Sequence, residues 1–217
     1  VRWVDQVRLK VDEVPEANVA VITADTTQPR TWYAGSGSVL FRSLNDGEGW
    51  EPTGRFADEE ITVVKVHPGR AGLLAVATNV SNDKGSRLHI SWDCAEGWAP
   101  TVYSLSFQVQ DLAWTLREDV PVLLMATNAG LYELSMQPGG SPVQVLVDRA
   151  NQALGFYALA VSTDVRGGVN VAIAAQNTAG IYLSSTGGAT NTFRHIGLRG
   201  QDIRKLAIEQ DGPRSFL

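Results

Sequence analysis

The chain has a single cysteine, Cys94, so no disulfide can form within it. That scarcity fits a reducing compartment without excluding secretion. No apolar run approaches the roughly 18 residues that a membrane-crossing helix needs, so membrane insertion is not expected. No basic stretch leading into an apolar one opens the chain, so no signal peptide is expected. Lys and Arg number 18 against 23 Asp and Glu. A broad nucleic-acid footprint is therefore not expected. His67, His89 and His195 stand far apart, without a His-x-x-x-His spacing, so no metal or other cofactor is expected. Gly35-Ser36-Gly37 lacks the Lys of a phosphate-binding loop and reads as a link between strands. No segment keeps a helical period for more than about two turns.

What the chain does have is a repeated turn. Ser43-Leu44-Asn45-Asp46-Gly47-Glu48-Gly49-Trp50 recurs as Ser91-Trp92-Asp93-Cys94-Ala95-Glu96-Gly97-Trp98. Two worn copies begin at Ser135 and Ser184, so the four serines are spaced 48, 44 and 49 residues apart. A period in the forties with strand-like content indicates a propeller or a similar array. Each slot has a physical role. The Asn or Asp side chain accepts from backbone N–H groups further along and closes an Asx-type turn. The small residues supply positive φ or room for close approach. The Trp offers a large ring and an indole donor. Cys94 occupies a slot that accepts any residue and reads as a bystander.

The runs between the turns repeat as well. A first apolar run (19–25, 61–67, 109–115, 156–162, 203–209) leads through a polar turn to a second, then a third, then the patterned turn and a more polar fourth. Val, Ile, Leu and aromatic residues bounded by Gly, Pro, Asn and Asp are the strand signal. The first runs are apolar on both faces, as strands buried on both sides are. The expected fold is all-β: a β-propeller of four-stranded antiparallel blades, about four blades and part of a fifth. The repeats fall at about 19–54, 61–104, 109–148 and 156–198, and a fifth begins over 203–217. The whole is read as one propeller domain or as a segment of a larger propeller. Residues 1–11 read as an outer or ring-closing strand. The start at Val1 and the apolar ending at Ser215-Phe216-Leu217 suggest an excerpt of a longer polypeptide.

The turn pattern resembles the Asp box, or bacterial neuraminidase repeat, Ser-x-Asp-x-Gly-x-Thr-Trp. Ser43, Asn45, Gly47 and Trp50 match it, as do Ser91, Asp93 and Trp98. Gly49 and Gly97 depart from it in the Thr slot and Ala95 in the Gly slot, while Pro142 and Asn191 stand where the worn copies would carry Trp. The resemblance implies the propeller fold, with these boxes as structural turns on the face opposite the ligand-binding mouth. It does not imply one activity, since such propellers include sialidases, xyloglucan-type hydrolases, sortilin-type receptors and a photosystem assembly factor.

The sialidase reading fails on residues. That chemistry needs three arginines on a carboxylate and a Phe-Arg-Ile-Pro motif, and Phe41-Arg42-Ser43-Leu44 is a superficial echo leading straight into the turn. Other glycosidases need two carboxylates about 5–10 Å apart. Asp58, Glu59 and Glu60 lie between a fourth and a first strand, with Asp148 and Asp202 in equivalent places. Acids in such turns read as solvated, and no aromatic platform flanks them. The charged candidates for a mouth-face contact are Arg55, Asp58, Glu59, Glu60, Lys84, Arg87, Arg149, Arg199 and Asp202. Their spread suits a broad protein contact better than a compact catalytic pair. The function expected is therefore non-catalytic binding or scaffolding, with a protein partner or larger assembly. The alternative is a glycoside hydrolase or carbohydrate-binding propeller with catalytic residues partly outside this sequence. Trp50 and Trp98 are expected in the core, where Trp→Ala costs about 3–5 kcal/mol.

Overall fold

The structure, a computed structural model, describes residues 18–80, 84–148, 154–164, 167–211 and 214–216. The chain divides between Ser106 and Phe107 into two compact units. The first holds two four-stranded sheets. One contains β1 (Val19–Ala24), β2 (Trp32–Ser36), β3 (Val39–Ser43) and β4 (Glu51–Arg55); the other contains β5 (Glu59–Val66), β6 (Leu74–Val80), β7 (Ser86–Ser91) and β8 (Tyr103–Leu105). The second unit repeats the plan with β9 (Val109–Arg117), β10 (Val120–Thr127), β11 (Gly130–Ser135) and β12 (Val143–Val145), then β13 (Phe156–Thr163), β14 (Val169–Ala175), β15 (Ile181–Ser184) and β16 (Arg194–Gly197). A hairpin of β17 (Glu209–Asp211) and β18 (Arg214–Phe216) follows. Within every sheet the strand order is the chain order and the pairing antiparallel, which is the topology of a propeller blade. Each blade has a box end, with its first and third hairpin turns, and a link end, with its second turn and the connection onward. Among the described residues no helix is long and apolar enough to cross a membrane.

Neither blade of a pair can bury both faces alone, so the core forms between them. In the first unit Tyr33, Leu40, Phe56, Ile61, Val64, Leu74 and Val76 pack together. Leu124, Leu131, Phe156, Leu159, Ile173 and Tyr182 do so in the second. The approach is close: a β-carbon on Gly35 of β2 would lie 2.6 Å from Ile61 Cγ2 and 2.8 Å from Val21 Cγ1. Gly35 is thus a packing residue.

An irregularity recurs in all four blades. Register shifts between Val19 and Val21, between Ile61 and Val63, and between Phe156 and Ala158; in the third blade Val109 pairs with Thr127 but Asp111 with Ala126. Ala20, Thr62, Gln110 and Tyr157, each second in its first run, are therefore bulge residues. A bulge bends its strand and increases the local twist. At the third blade it accompanies a buried tie: Asp111 Oδ2 accepts from Leu159 N at 3.0 Å and so joins β9 to β13.

Two expectations about strands need correction. β1 is not buried on both sides, for Val19 and Ile22 are 41% and 51% exposed. The run 203–208 is not a strand. Arg204 and Lys205 interrupt its apolar pattern, and Arg204 instead lies over the Tyr157 ring at 3.9 Å. The proposed strand at residues 1–11 lies outside the described residues.

The patterned turns fold as one device. In the first, Ser43 Oγ accepts from Gly47 N at 2.9 Å and donates to Asn45 Oδ1 at 2.9 Å, while Gly49 N donates to that same oxygen at 2.8 Å. In the second, Ser91 Oγ accepts from Ala95 N at 2.9 Å and donates to Asp93 Oδ1 at 2.8 Å, and Gly97 N donates to Asp93 Oδ1 at 2.8 Å. Ser184 retains part of this, accepting from Gly188 N at 3.2 Å. The residue four after the serine has positive φ in every copy: Gly47, Gly139 and Gly188 at 86°, 77° and 75°, and Ala95 at 64°. The glycines in the Thr slot also have a reason here. A β-carbon on Gly97 would come within 2.8 Å of Asp93 Oδ2.

The tryptophans correct a further expectation, since Trp50 and Trp98 are both half-buried. Trp50 folds back on its own turn, Nε1 donating to Gly47 O at 3.1 Å. Trp98 packs on the first unit's core, its ring 5.0 Å from that of Phe56. Trp114 is buried, whereas Trp92 is exposed with Arg70 4.9 Å from its ring. Trp98→Ala is accordingly expected to cost about 3 kcal/mol and Trp50→Ala about 1–2 kcal/mol, read by denaturant melts. Ser91 is fully buried, and Ser91→Ala strips two N–H groups of their acceptor at a cost of about 1–3 kcal/mol.

The Asp93 carboxyl is held below its ordinary value, chiefly by the Gly97 N–H and then by the Ser91 hydroxyl. A depressed folded-state value means stabilisation that is present above the ordinary pKa and lost as pH falls through the folded one. Asp93→Asn should keep the turn, as Asn45 does in the first copy. It should also remove this part of the loss of stability below about pH 4, measured by melts across an acid series.

Candidate binding site

Most of the charged candidates on the first unit gather at its link end. Arg55 closes β4, Asp58 lies in the connection, Glu59 and Glu60 open β5, Lys84 lies in the link after β6, and Arg87 is second in β7. Period-two alternation puts Arg87 and His89 on one face of β7, and the register sets Thr78 opposite Arg87 and Val76 opposite His89. Thr78 also pairs with Ile61, two residues beyond Glu59 and on the same face of β5. Four polar side chains thereby converge at the rim of a largely apolar interface.

Glu59 is the centre of that group, and this corrects the expectation of a solvated acid. Its side chain is 5% exposed. Oε1 meets Arg87 Nη1 at 2.5 Å; Oε2 accepts from the Thr78 hydroxyl at 2.5 Å and lies 2.8 Å from His89 Nε2. Phe56 covers the cluster, its ring 4.4 Å from that of His89. Burial alone would raise the carboxyl's pKa. The hydrogen bonds from Thr78, Arg87 and His89 oppose burial and together hold it below its ordinary value. Glu59 is thus an ionised anchor with both oxygens engaged. It fixes Arg87, whose side chain is 40% exposed, in one orientation at the surface.

The other candidates are exposed. Arg55, Asp58, Glu60 and Lys84 all precede Arg87 in sequence and all face solvent. Asp58 takes a positive φ of 61° in the turn before β5. In the second unit Arg199 follows β16, donating from Nε to His195 Nε2 at 3.3 Å, and Asp202 pairs with Arg204 at 2.8 Å. Arg149 lies outside the described residues. Arg87 and Glu59 are brought into contact, while Arg199 and Asp202 engage neighbours absent from the candidate set. Thr78 and His89 were missed, because only the β5–β6 and β6–β7 registers together show that they face Glu59. Arg42 was set aside as an echo of a motif, yet its guanidinium bonds Glu51, Glu96 and the Cys94 carbonyl and pins one box to the next.

No protein-family model matches the chain, and no curated protein matches it. Solved structures do. A luciferin-regenerating enzyme superposes at a TM-score of 0.60 with 14% identity, over 94% of this chain and 69% of that one. The GH74 enzyme of Niastella koreensis gives 0.57 with 12% identity, over 81% of this chain and 29% of that one. YCF48 from Cyanidioschyzon merolae gives 0.54 with 15% identity, over 95% and 62%. The fold is that of the β-propellers. Identity at this level carries the fold alone, and the chain spans under a third of the length of the GH74 enzyme.

Removing one partner of a buried ion pair strands the others, so Glu59→Gln is expected to cost on the order of 3 kcal/mol, moderated by the exposure of Arg87. Because the folded-state pKa lies below the ordinary 4.5, the contribution is full above that value and lost as pH falls through the folded one. Melts over an acid series should show a shallower acid slope in the variant. An unchanged slope would mean that Glu59 is not ionised in the fold.

Proposed function

We propose that the chain is a non-catalytic binding or scaffolding module of the Asp-box type, with its contact surface at the link end of the first unit. The observation that carries this reading is the set of contacts made by the buried Glu59 carboxylate. A general acid must hold a proton at working pH, and a glycosidase nucleophile must reach the anomeric carbon. Both Glu59 oxygens are spent on Arg87, His89 and Thr78, and these bonds favour the carboxylate over the acid. The arrangement suits presentation of a fixed guanidinium to a partner, with Lys84, Arg55, Asp58 and Glu60 as a mixed-charge rim. Such rims set orientation and encounter rate more than affinity. The shared Ser–Asn/Asp turn network supports the Asp-box assignment. A protein partner fits this surface better than a small substrate.

The competing reading is a glycoside hydrolase with part of its machinery beyond this sequence. A screen of the purified protein on aryl glycosides and on plant and bacterial polysaccharides separates the two. No turnover is expected, and Glu59→Gln should lower the melting temperature without altering any rate. Turnover abolished by a single Ala change at Asp58, Glu59, Glu60, Asp148 or Asp202 would overturn the binding-module reading.

A further inference from the structure

The second unit carries a groove distinct from the link-end cluster. It is an open groove of about 350 Å³, at the low end of the roughly 300–1,000 Å³ range of small-ligand pockets. Its walls come from outer strands and their flanks: Val147 and Asp148 follow β12, Asn191 and Phe193 precede β16, Tyr182 lies on β15, His195 on β16, and Arg199 beyond it. The walls are tied together. Asn191 N donates to Leu146 O at 2.8 Å, the Tyr182 hydroxyl donates to Asp148 Oδ2 at 3.2 Å, and the rings of Tyr182 and His195 meet edge to face at 5.2 Å.

We infer that this groove binds a neutral saccharide of one or two rings. The lining chemistry selects that class. Asp148 disfavours an anion and Arg199 disfavours a cation, so a net-neutral ligand is the one that meets neither penalty. A carboxylate only accepts, a guanidinium only donates, and the Asn191 amide does both. Vicinal hydroxyls, each donor and acceptor at once, can meet all three. After its Nε–H is used on His195, the Arg199 guanidinium still carries four N–H donors. Phe193 and His195, both half-buried, supply ring surface for the apolar C–H face of a sugar, with the buried Tyr182 ring behind His195. Every lining residue lies outside the link-end surface of the proposed function, and the inference does not depend on that reading.

Saturation-transfer NMR on the full chain tests it, with cellobiose, xylobiose, lactose and methyl glucoside as probes and glycine and glutamine as zwitterionic controls. At least one saccharide is expected to receive transfer at millimolar concentration. Arg199→Ala, an exposed position, should weaken binding tenfold or more with the melting temperature unchanged. Phe193→Leu should weaken it several-fold, and Glu59→Gln should leave it intact. Transfer to none of the saccharides, transfer confined to the amino acids, or saccharide binding unaffected by Arg199→Ala would each overturn the proposal. Turnover of a glycoside would count against the non-catalytic reading only.

Discussion

A serine hydroxyl at the end of each third strand is the constraint on which the blades depend. In three of the four copies it accepts the N–H four residues on, and in the two full copies it also donates to the carbonyl or carboxylate oxygen two residues on. This holds the backbone in a left-handed turn that would otherwise be costly, as at Ala95 with its φ of 64°. The fourth strands are short, β8 and β12 having three residues each, and carry little buried surface. Three-residue ladders contribute few bonds, so side-chain fixation of the turn has to hold those strands in place. Where the pattern is worn, at Ser135, one of its weaker bonds persists: Gln137 N to Ser135 Oγ at 3.4 Å.

The same economy of means appears at the other end of the first unit. A carboxylate that leaves water needs compensation on both oxygens. Glu59 finds it in three neighbours from two strands, and in return orders an arginine that would otherwise sample many rotamers. Preorganisation of this kind lowers the entropic cost of binding. The arrangement links the packing of blade on blade to the orientation of Arg87, because Phe56 and Trp98 belong both to the core and to the cover of the cluster.

The fold was legible because two signals agreed: apolar runs of strand length, and a turn motif whose spacing set the repeat. The candidate site was legible only in part, for physical reasons. Glu59 looks like its neighbours Asp58 and Glu60 in sequence; only the strand start at residue 59 turns it inward while Glu60 faces water. His89 and Thr78 carry no local mark of their partner. The groove was invisible for a similar reason: Tyr182 and His195 are brought together by cross-strand pairing, and Asp148 reaches Tyr182 from the preceding blade. Trp50 was misjudged because its ring, though large, serves its own turn more than the core.

The bulges left no trace at all. A strand that is apolar on both faces has no alternation for an extra residue to disturb, so Ala20, Thr62, Gln110 and Tyr157 look like ordinary members of their runs. Their shared position has a mechanical consequence. Each first strand is bent and further twisted at the second residue of its run. The extra residue therefore does more than lengthen a run: it shifts the facing of every later side chain by one, so that residues three apart across the bulge share a face.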